Sequence, residues 1–200
     1  MDLRWLLLDA DGVMQRVRDG WLDELTAHGG ERGEEFVLAV FAAEVACLTG
    51  DDFGVAMREV ARRFELDSPL EMITAAHYWI DVDPTMIGAI RALRKLGVRC
   101  ALATNQQNLR GGYMRRSLGF GEVFDEQFYS HELGVAKPDP DYFHAILTRI
   151  EVPAESVLFV DDTQENVEGA RAAGLPAELF PRDGGADALR RILGRRGVRL

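Results

Sequence analysis

The stretch Leu6-Leu7-Leu8-Asp9-Ala10-Asp11-Gly12-Val13 decides how this 200-residue chain is read. An apolar run from Trp5 goes straight into a carboxylate, the pattern of a short buried strand that ends at Asp9. Asp9 and Asp11 flank a single residue, so on an extended chain both carboxylates point the same way, and Gly12 lets the chain turn sharply after them. Three further fragments follow in order: Leu102-Ala103-Thr104-Asn105, Lys137-Pro138, and Phe159-Val160-Asp161-Asp162-Thr163. If the apolar runs are strands of one parallel sheet, their polar ends converge at its carboxyl edge, where open α/β sheets bind ligands. The assembled groups are carboxylates, one hydroxyl and one ammonium. Such a set suits a hard cation and a phosphate, with a carboxylate left to attack.

Outward from the first strand, residues 16–82 change character. Phe36, Val37, Val40, Phe41, Val45 and Leu48 recur at spacings of three and four, as do Phe53, Met57, Val60, Ala61 and Phe64, the period of helices. Gly29-Gly30, Thr49-Gly50-Asp51-Asp52 and Asp67-Ser68-Pro69 punctuate the segment, and no strong strand candidate stands in it. After Asp83-Pro84, helices alternate with strands at Val98–Ala103, near Phe124–Tyr129, at Val157–Val160 and near Ala177–Phe180. Helices are expected over about 86–96, 107–118, 139–150, 163–173 and 186–194. Alternation at these lengths implies right-handed crossovers and a parallel sheet. The expected architecture is an α/β core flanked by helices (1–15 plus 83–200), with an all-helical cap (16–82) inserted after the first strand.

Composition bounds the partners. An apolar content of 47% with 28% charged residues places the chain among soluble globular proteins. A net charge of −10 argues against a nucleic-acid partner, which rewards a basic face, but not against a small phosphate held by a local cation. No stretch approaches the roughly 20 apolar residues of a membrane span, and the amino-terminal run is too short for a signal peptide. Cys47 and Cys100 sit among apolar neighbours and read as small buried hydrophobes, so a reduced cytoplasm is the expected setting.

Each fragment has a bland reading beside the chemical one. Aspartates are common in turns after strands; in the chemical reading Asp9 is nucleophile and metal ligand, and Asp11 is general acid, then base. Thr104 can donate to a phosphate oxygen, although polar residues open many loops. Lys137 is one of only two lysines among 23 basic residues, the other being Lys95. A compact ammonium where arginine is otherwise the rule suits a phosphate and an ionised Asp9. Asp161 and Asp162 precede a helix that Thr163 is placed to cap through its hydroxyl. Carboxylates there and at Asp9 suit Mg²⁺, which prefers octahedral oxygen ligands. His28, His77, His131 and His144 show no ligand spacing. Trp21, Phe41, Phe53, Tyr78 and Trp79, with His28 and His77, line either a substrate pocket or the core of the helical segment.

In this order the four fragments resemble the haloacid dehalogenase-like hydrolase superfamily, in the branch with a helical cap inserted after the first motif. The resemblance covers nearly the whole chain. It implies a Rossmann-like core, Mg²⁺ as cofactor, and hydrolysis of a small phosphorylated metabolite such as a sugar or nucleotide phosphate through an aspartyl-phosphate on Asp9. It also implies Asp11 as acid/base, Thr104, Asn105 and Lys137 as phosphate-binding residues, and Asp161-Asp162 as the acidic metal pair. The backbone carbonyl of Asp11 joins the metal, and the cap chooses the substrate. Motif four reads Asp-Asp-Thr-Gln-Glu-Asn, with Glu165 near the place of a further acidic residue in many relatives. A phosphosugar mutase would keep all these residues. A 2-haloacid dehalogenase would not call for Asp11, and a phosphate-binding pseudoenzyme would be expected to lack a key position, whereas none is missing.

Overall fold

The computed structural model describes residues 3–67, 70, 74–182 and 184–200. Strand β1 (Trp5–Leu8) is buried along its whole length, as a run without a polar position requires. Two short strands follow it far apart in sequence, β2 (Gln15–Val17) and β3 (Ile80–Val82), and then β4 (Arg99–Thr104), β5 (Glu126–Tyr129), β6 (Val157–Asp161) and β7 (Ala177–Leu179). Five of these form one sheet in the order β5-β4-β1-β6-β7, with every pairing parallel. β1 is therefore central, and the residues that end its two neighbours stand on either side of Asp9.

Alternation along β1 divides the core into two layers. Leu6 and Leu8 pack with Met86, Ile90 and Leu93 of the helix Pro84–Lys95 and with Leu189 and Leu193 of the helix Gly185–Gly194. Trp5 and Leu7 enter the opposite layer with Tyr142, Phe143 and Ile146 of the helix Pro140–Ile150 and with Val167 and Ala170 of the helix Gln164–Ala172. Two of these helices start at an Asp-Pro pair. Asp83 accepts a hydrogen bond from the Thr85 N–H (2.8 Å) and Asp139 from the Asp141 N–H (2.9 Å), while the proline fills a first-turn position that needs no donor.

The segment between β2 and β3 carries the helices Trp21–His28, Gly33–Ala46 and Phe53–Arg63, which share a separate apolar cluster built on Leu25, Phe36, Val40, Phe53, Met57 and Val60. Two expectations need correction. The stretch 16–82 is not purely helical: β2 and β3 pair antiparallel as its stem, Arg16 opposite Asp81. Three-residue strands are too short to show a period of two. Val45, assigned by spacing to the buried stripe, is exposed, because nine residues at about 100° each put it on the opposite face of the helix from Phe36, and Cys47 in the following turn is the next buried side chain. Ser68 and Pro69, part of the expected break, lie outside the described residues. Cys47 and Cys100 are both free and buried. Among the described residues, no helix is long and apolar enough to cross a membrane.

Candidate active site

Sheet register brings the first set of polar groups together. Leu8 stands opposite Leu102 on β4 and Val160 on β6, and the Asp9 N–H continues the ladder by donating to the Val160 carbonyl at 3.0 Å. Asp9 is thus level with Asp161, the last residue of β6. Lys137 reaches between them from the loop before the helix Pro140–Ile150. Its Nζ donates to Asp9 Oδ1 (2.7 Å), Asp161 Oδ2 (2.6 Å) and the Ala103 carbonyl (2.9 Å), which uses all three ammonium protons. All three charged groups are buried. Burial raises the Asp9 carboxyl to about 7; the attraction of Lys137 is partly cancelled by the neighbouring Asp161 charge. Burial also pushes Lys137 towards losing its proton, but Asp9 and Asp161 outweigh it and hold the ammonium charged.

Asn105 fixes the Lys137 loop. Its Nδ2 donates to the Lys137 carbonyl (2.8 Å) and its Oδ1 accepts the Lys137 N–H (2.9 Å), so both ends of the amide hold that backbone. Asp161 is equally committed. Besides Lys137 it accepts from the Thr163 N–H (2.8 Å) and from Asn166 Nδ2 on both oxygens (3.1 and 3.0 Å). The Thr163 hydroxyl does not cap its helix. It lies 3.4 Å from Asp162 Oδ1, and the Asp161 carboxylate meets the first free N–H instead. Thr104 is buried at the end of β4, its hydroxyl accepting from Gln106 Nε2 at 3.3 Å.

Carboxylate oxygens of Asp9, Asp161 and Asp162 all lie within 4.8 Å of one another, a hard-donor cluster of the kind that holds Mg²⁺. Asp162 is the least committed of the three, with the exposed Arg182, at 3.2 Å, as its only ion-pair partner among the described residues. Burial, and then the Asp161 charge, raise its carboxyl, with Arg182 a partial offset. Gly12, at φ +79°, is what admits it: a Cβ there would overlap the Asp162 carboxylate. The Asp11 carbonyl accepts no hydrogen bond among the described residues, while the turn around it is closed by Gly12 N–H to Gln15 O and Gln15 N–H to Ala10 O.

The Asp11 side chain turns away from this cluster into a clamp. Arg110 grips it with both ends of its fork, Nη1 to Oδ2 at 2.6 Å and Nη2 to Oδ1 at 2.8 Å. Gln106 Nε2 (2.8 Å) and Gln15 Nε2 (3.2 Å) add further donors. Burial alone would raise the Asp11 carboxyl, but the Arg110 charge and these hydrogen bonds outweigh it and hold it below the usual carboxylate range. Arg110 is itself buried and anchored, its Nε donating to the His77 carbonyl (3.0 Å) and its Nη1 to Gln106 Oε1 (2.9 Å).

Residues 4–174 of the chain match the haloacid dehalogenase-like hydrolase family. The chain belongs to that family. A phosphoglycolate phosphatase of Rhodospirillum rubrum is 30% identical over 191 residues, covering 88% of this chain and 78% of the relative. A phosphatase of Mycobacterium tuberculosis is 32% identical over 135 residues, 64% of this chain and 61% of the relative's length. Among solved structures, a HAD family enzyme of Bacteroides thetaiotaomicron, in complex with magnesium and inorganic phosphate, superposes with a TM-score of 0.82 at 17% identity, over 94% of this chain and 98% of that one. At that identity the likeness speaks for the fold.

Sequence reasoning about this HAD-like chain passed over Arg110, Gln106, Gln15 and Asn166. Arg110 left a readable trace: a cation in the first turn of the helix Asn108–Ser117 opposes the helix dipole and calls for a specific anionic partner. Asn166, not the exposed Glu165, donates to Asp161 of the acidic pair. Of the aromatic candidates, Trp21 and His77 line a cavity beside Asp11. Phe41 and Phe53 belong to the apolar cluster of the inserted helices, and Tyr78 stacks on Tyr113 with centroids 4.7 Å apart. His131 is tied to the Gln106 carbonyl at 3.0 Å, and His144 sits beside the exposed Asp141.

Proposed function

We propose that this chain is a Mg²⁺-dependent phosphatase that hydrolyses a small phosphate monoester through an aspartyl-phosphate on Asp9. The observation that carries the reading is the buried Asp9 carboxylate, oriented by Lys137 and set beside Asp161 and Asp162 at the carboxyl edge of the sheet. The phosphatase names of the Rhodospirillum and Mycobacterium relatives, and the magnesium and phosphate bound by the Bacteroides enzyme, support it.

The donors fit a hard divalent cation. Asp9, Asp162 and the Asp11 carbonyl would hold it, while Asp161 braces Lys137. Bound there, Mg²⁺ supplies positive charge against the phosphoryl oxygens. Thr104 would hold another phosphoryl oxygen, and Lys137 would reach one by exchanging one of its three present hydrogen bonds for it. An Asp9 oxygen attacks phosphorus in line; the new O–P bond forms as the ester P–O bond breaks. Asp11, once the loosened Arg110 fork lets it take a proton from solvent, gives that proton to the departing alkoxide, then takes one from the water that cleaves the acyl phosphate, releasing inorganic phosphate and the Asp9 carboxylate. The Arg110 clamp holds Asp11 in the ionised form that suits the second step, so the fork must loosen as the leaving oxygen arrives. Helices between β2 and β3 serve as the cap, with residues 16–82 as its span and 1–15 plus 83–200 as the core.

The test is phosphate release from a panel of monoesters with Mg²⁺ and then with chelator. Release that needs the metal and disappears in a folded Asp9→Asn variant is expected. No release from any ester by the folded wild type, or wild-type rates in Asp9→Asn, would overturn the reading.

A further inference from the structure

The amino edge of the sheet, opposite Asp9, carries a concentration of positive charge. A cavity of about 610 Å³ opens there at the starts of β1 and β4, within the size range of small-ligand sites. Arg4, Arg99 and Arg196 line it, with Glu151 as the one acid. A second cavity of about 530 Å³ shares Gly97, Val98 and Arg99 with the first, and adds Arg91, Arg94 and Lys95 against Asp125. Six cations and two acids thus line one continuous cleft, in a chain whose net charge is −10.

The acids leave most of that charge uncompensated. Asp125 is taken by Arg94, whose Nε and Nη2 reach its two oxygens at 3.1 and 2.8 Å. Arg196 shares Glu178 with Arg195, at 3.2 and 3.1 Å. Glu151 is exposed and makes no ion pair among the described residues, and Arg4, Arg91, Lys95 and Arg99 have no carboxylate partner among them either. A cleft lined by one sign of charge focuses its field and concentrates counter-ions. Arg99 is also held ready. Its guanidinium carbon lies 4.1 Å from the centroid of the buried Trp5 ring, so it rests on a fixed floor while its side-chain donors make no hydrogen bond among the described residues.

Guanidinium forks match phosphoryl groups through paired N–H donors. Two unpaired forks beside a shared third call for more than one anionic charge. Shape and charge then choose between a small and a large polyanion. A nucleic acid would extend beyond the cleft over a surface where acids outnumber bases, whereas a small ligand stays within the local field.

We propose that this cleft binds a small polyanion with two or more phosphoryl groups, of the pyrophosphate class, with Arg4 and Arg99 as its principal ligands. The site is separate from the one at Asp9, and the proposal does not rest on the phosphatase reading.

The experiment is isothermal titration calorimetry of pyrophosphate and of inorganic phosphate into metal-free protein at low ionic strength. It compares the wild type, Arg4→Gln/Arg99→Gln and a charge-matched control, Arg58→Gln/Arg63→Gln, on the helix Phe53–Arg63. Without a divalent cation the carboxylates around Asp9 repel anions, so the heat reports on other sites. Expected is one pyrophosphate per chain, bound more tightly than phosphate and more weakly as salt rises. Its affinity should fall by about tenfold or more in the cleft variant, the order expected for a lost charge-assisted hydrogen bond, and stay near the wild-type value in the control. Arg4→Gln alone, at an exposed side chain, should already weaken pyrophosphate, which keeps the test decisive if the change at Arg99 disturbs the fold. Arg99→Lys, which keeps the charge and loses the fork, should bind at an intermediate affinity. No binding of millimolar pyrophosphate by the folded wild type, an affinity that the Arg4 and Arg99 changes leave unmoved, or an equal loss in the control would overturn the site.

Discussion

Lys137→Met tests the centre of the site. Methionine keeps most of the side-chain volume and removes the ammonium, leaving Asp9 and Asp161 facing each other without the cation that bridges them at 2.7 and 2.6 Å. Both carboxylates are buried, so the cost is that of breaking a buried pair, about 3–5 kcal/mol, rather than the fraction of a kcal/mol of a surface bridge. With a urea slope of roughly 2 kcal/mol/M, the unfolding midpoint should fall by about 1.5–2.5 M in chelator. The loss should also depend on pH. Asp9 already titrates at about 7 against an ordinary 3.8, and a carboxyl raised in the folded state contributes stability below its unfolded pKa that is lost as pH rises through the folded one. Removing Lys137 raises Asp9 further, so the deficit of the variant should shrink between about pH 8 and about pH 5. Adding Asp161→Asn should recover part of the loss, with a coupling of about 1–3 kcal/mol. Urea curves with circular dichroism would measure all three. A midpoint shift worth less than about 0.5 kcal/mol, or strict additivity in the double variant, would refute the buried-triad account.

Two glycines carry further predictions. Gly12→Ala should place a methyl group against the Asp162 carboxylate at a positive φ, costing about 1–3 kcal/mol and lowering Mg²⁺ affinity about 10–100-fold by calorimetry. Unchanged affinity would count against Asp162 as a metal ligand. Gly169→Ala replaces a weak helix former with the best one, a change worth about −1 kcal/mol in an open helix. Here the added Cβ would overlap the Pro138 carbonyl, and the variant should instead be destabilised by about 1–3 kcal/mol. A raised thermal midpoint would contradict that packing.

The core sheet was legible because its evidence is local. Strands β1, β4 and β6 are mainly apolar runs that stop at a polar residue, and the helices that alternate with them show their own period. The ribbon was not, because Gln15–Val17 and Ile80–Val82 are each three residues long and recognise each other across the whole inserted segment. The polar ends of the strands were legible as a set because parallel register carries Asp9, Thr104 and Asp161 to one edge. Their individual bonds were not. Asn105 reads as a loop polar residue, yet both ends of its amide hold the Lys137 backbone. Arg110 meets Asp11 from 99 residues away, and nothing local to either residue names the other.

The two buried charge clusters explain each other. Around Asp9, carboxylates outnumber cations: Asp9, Asp161 and Asp162 share Lys137, and the exposed Arg182 touches only the last of them. Burial raises the Asp9 carboxyl to about 7, and the Asp161 charge adds to that against the attraction of Lys137. A phosphate dianion brought to such a site alone would meet repulsion, so a divalent cation and the dianion belong there together, each offsetting the other. Asp11 stands apart from the shortage because Arg110 neutralises it locally. If Asp11 shared the Lys137 cluster, it would add to the repulsion against the phosphate. Paired with Arg110, it keeps a carboxylate two residues from Asp9 without burdening that balance, and it faces the cavity in which the departing oxygen would lie. In the proposed mechanism, the clamp therefore separates the carboxylate that would attack from the carboxylate that would carry protons.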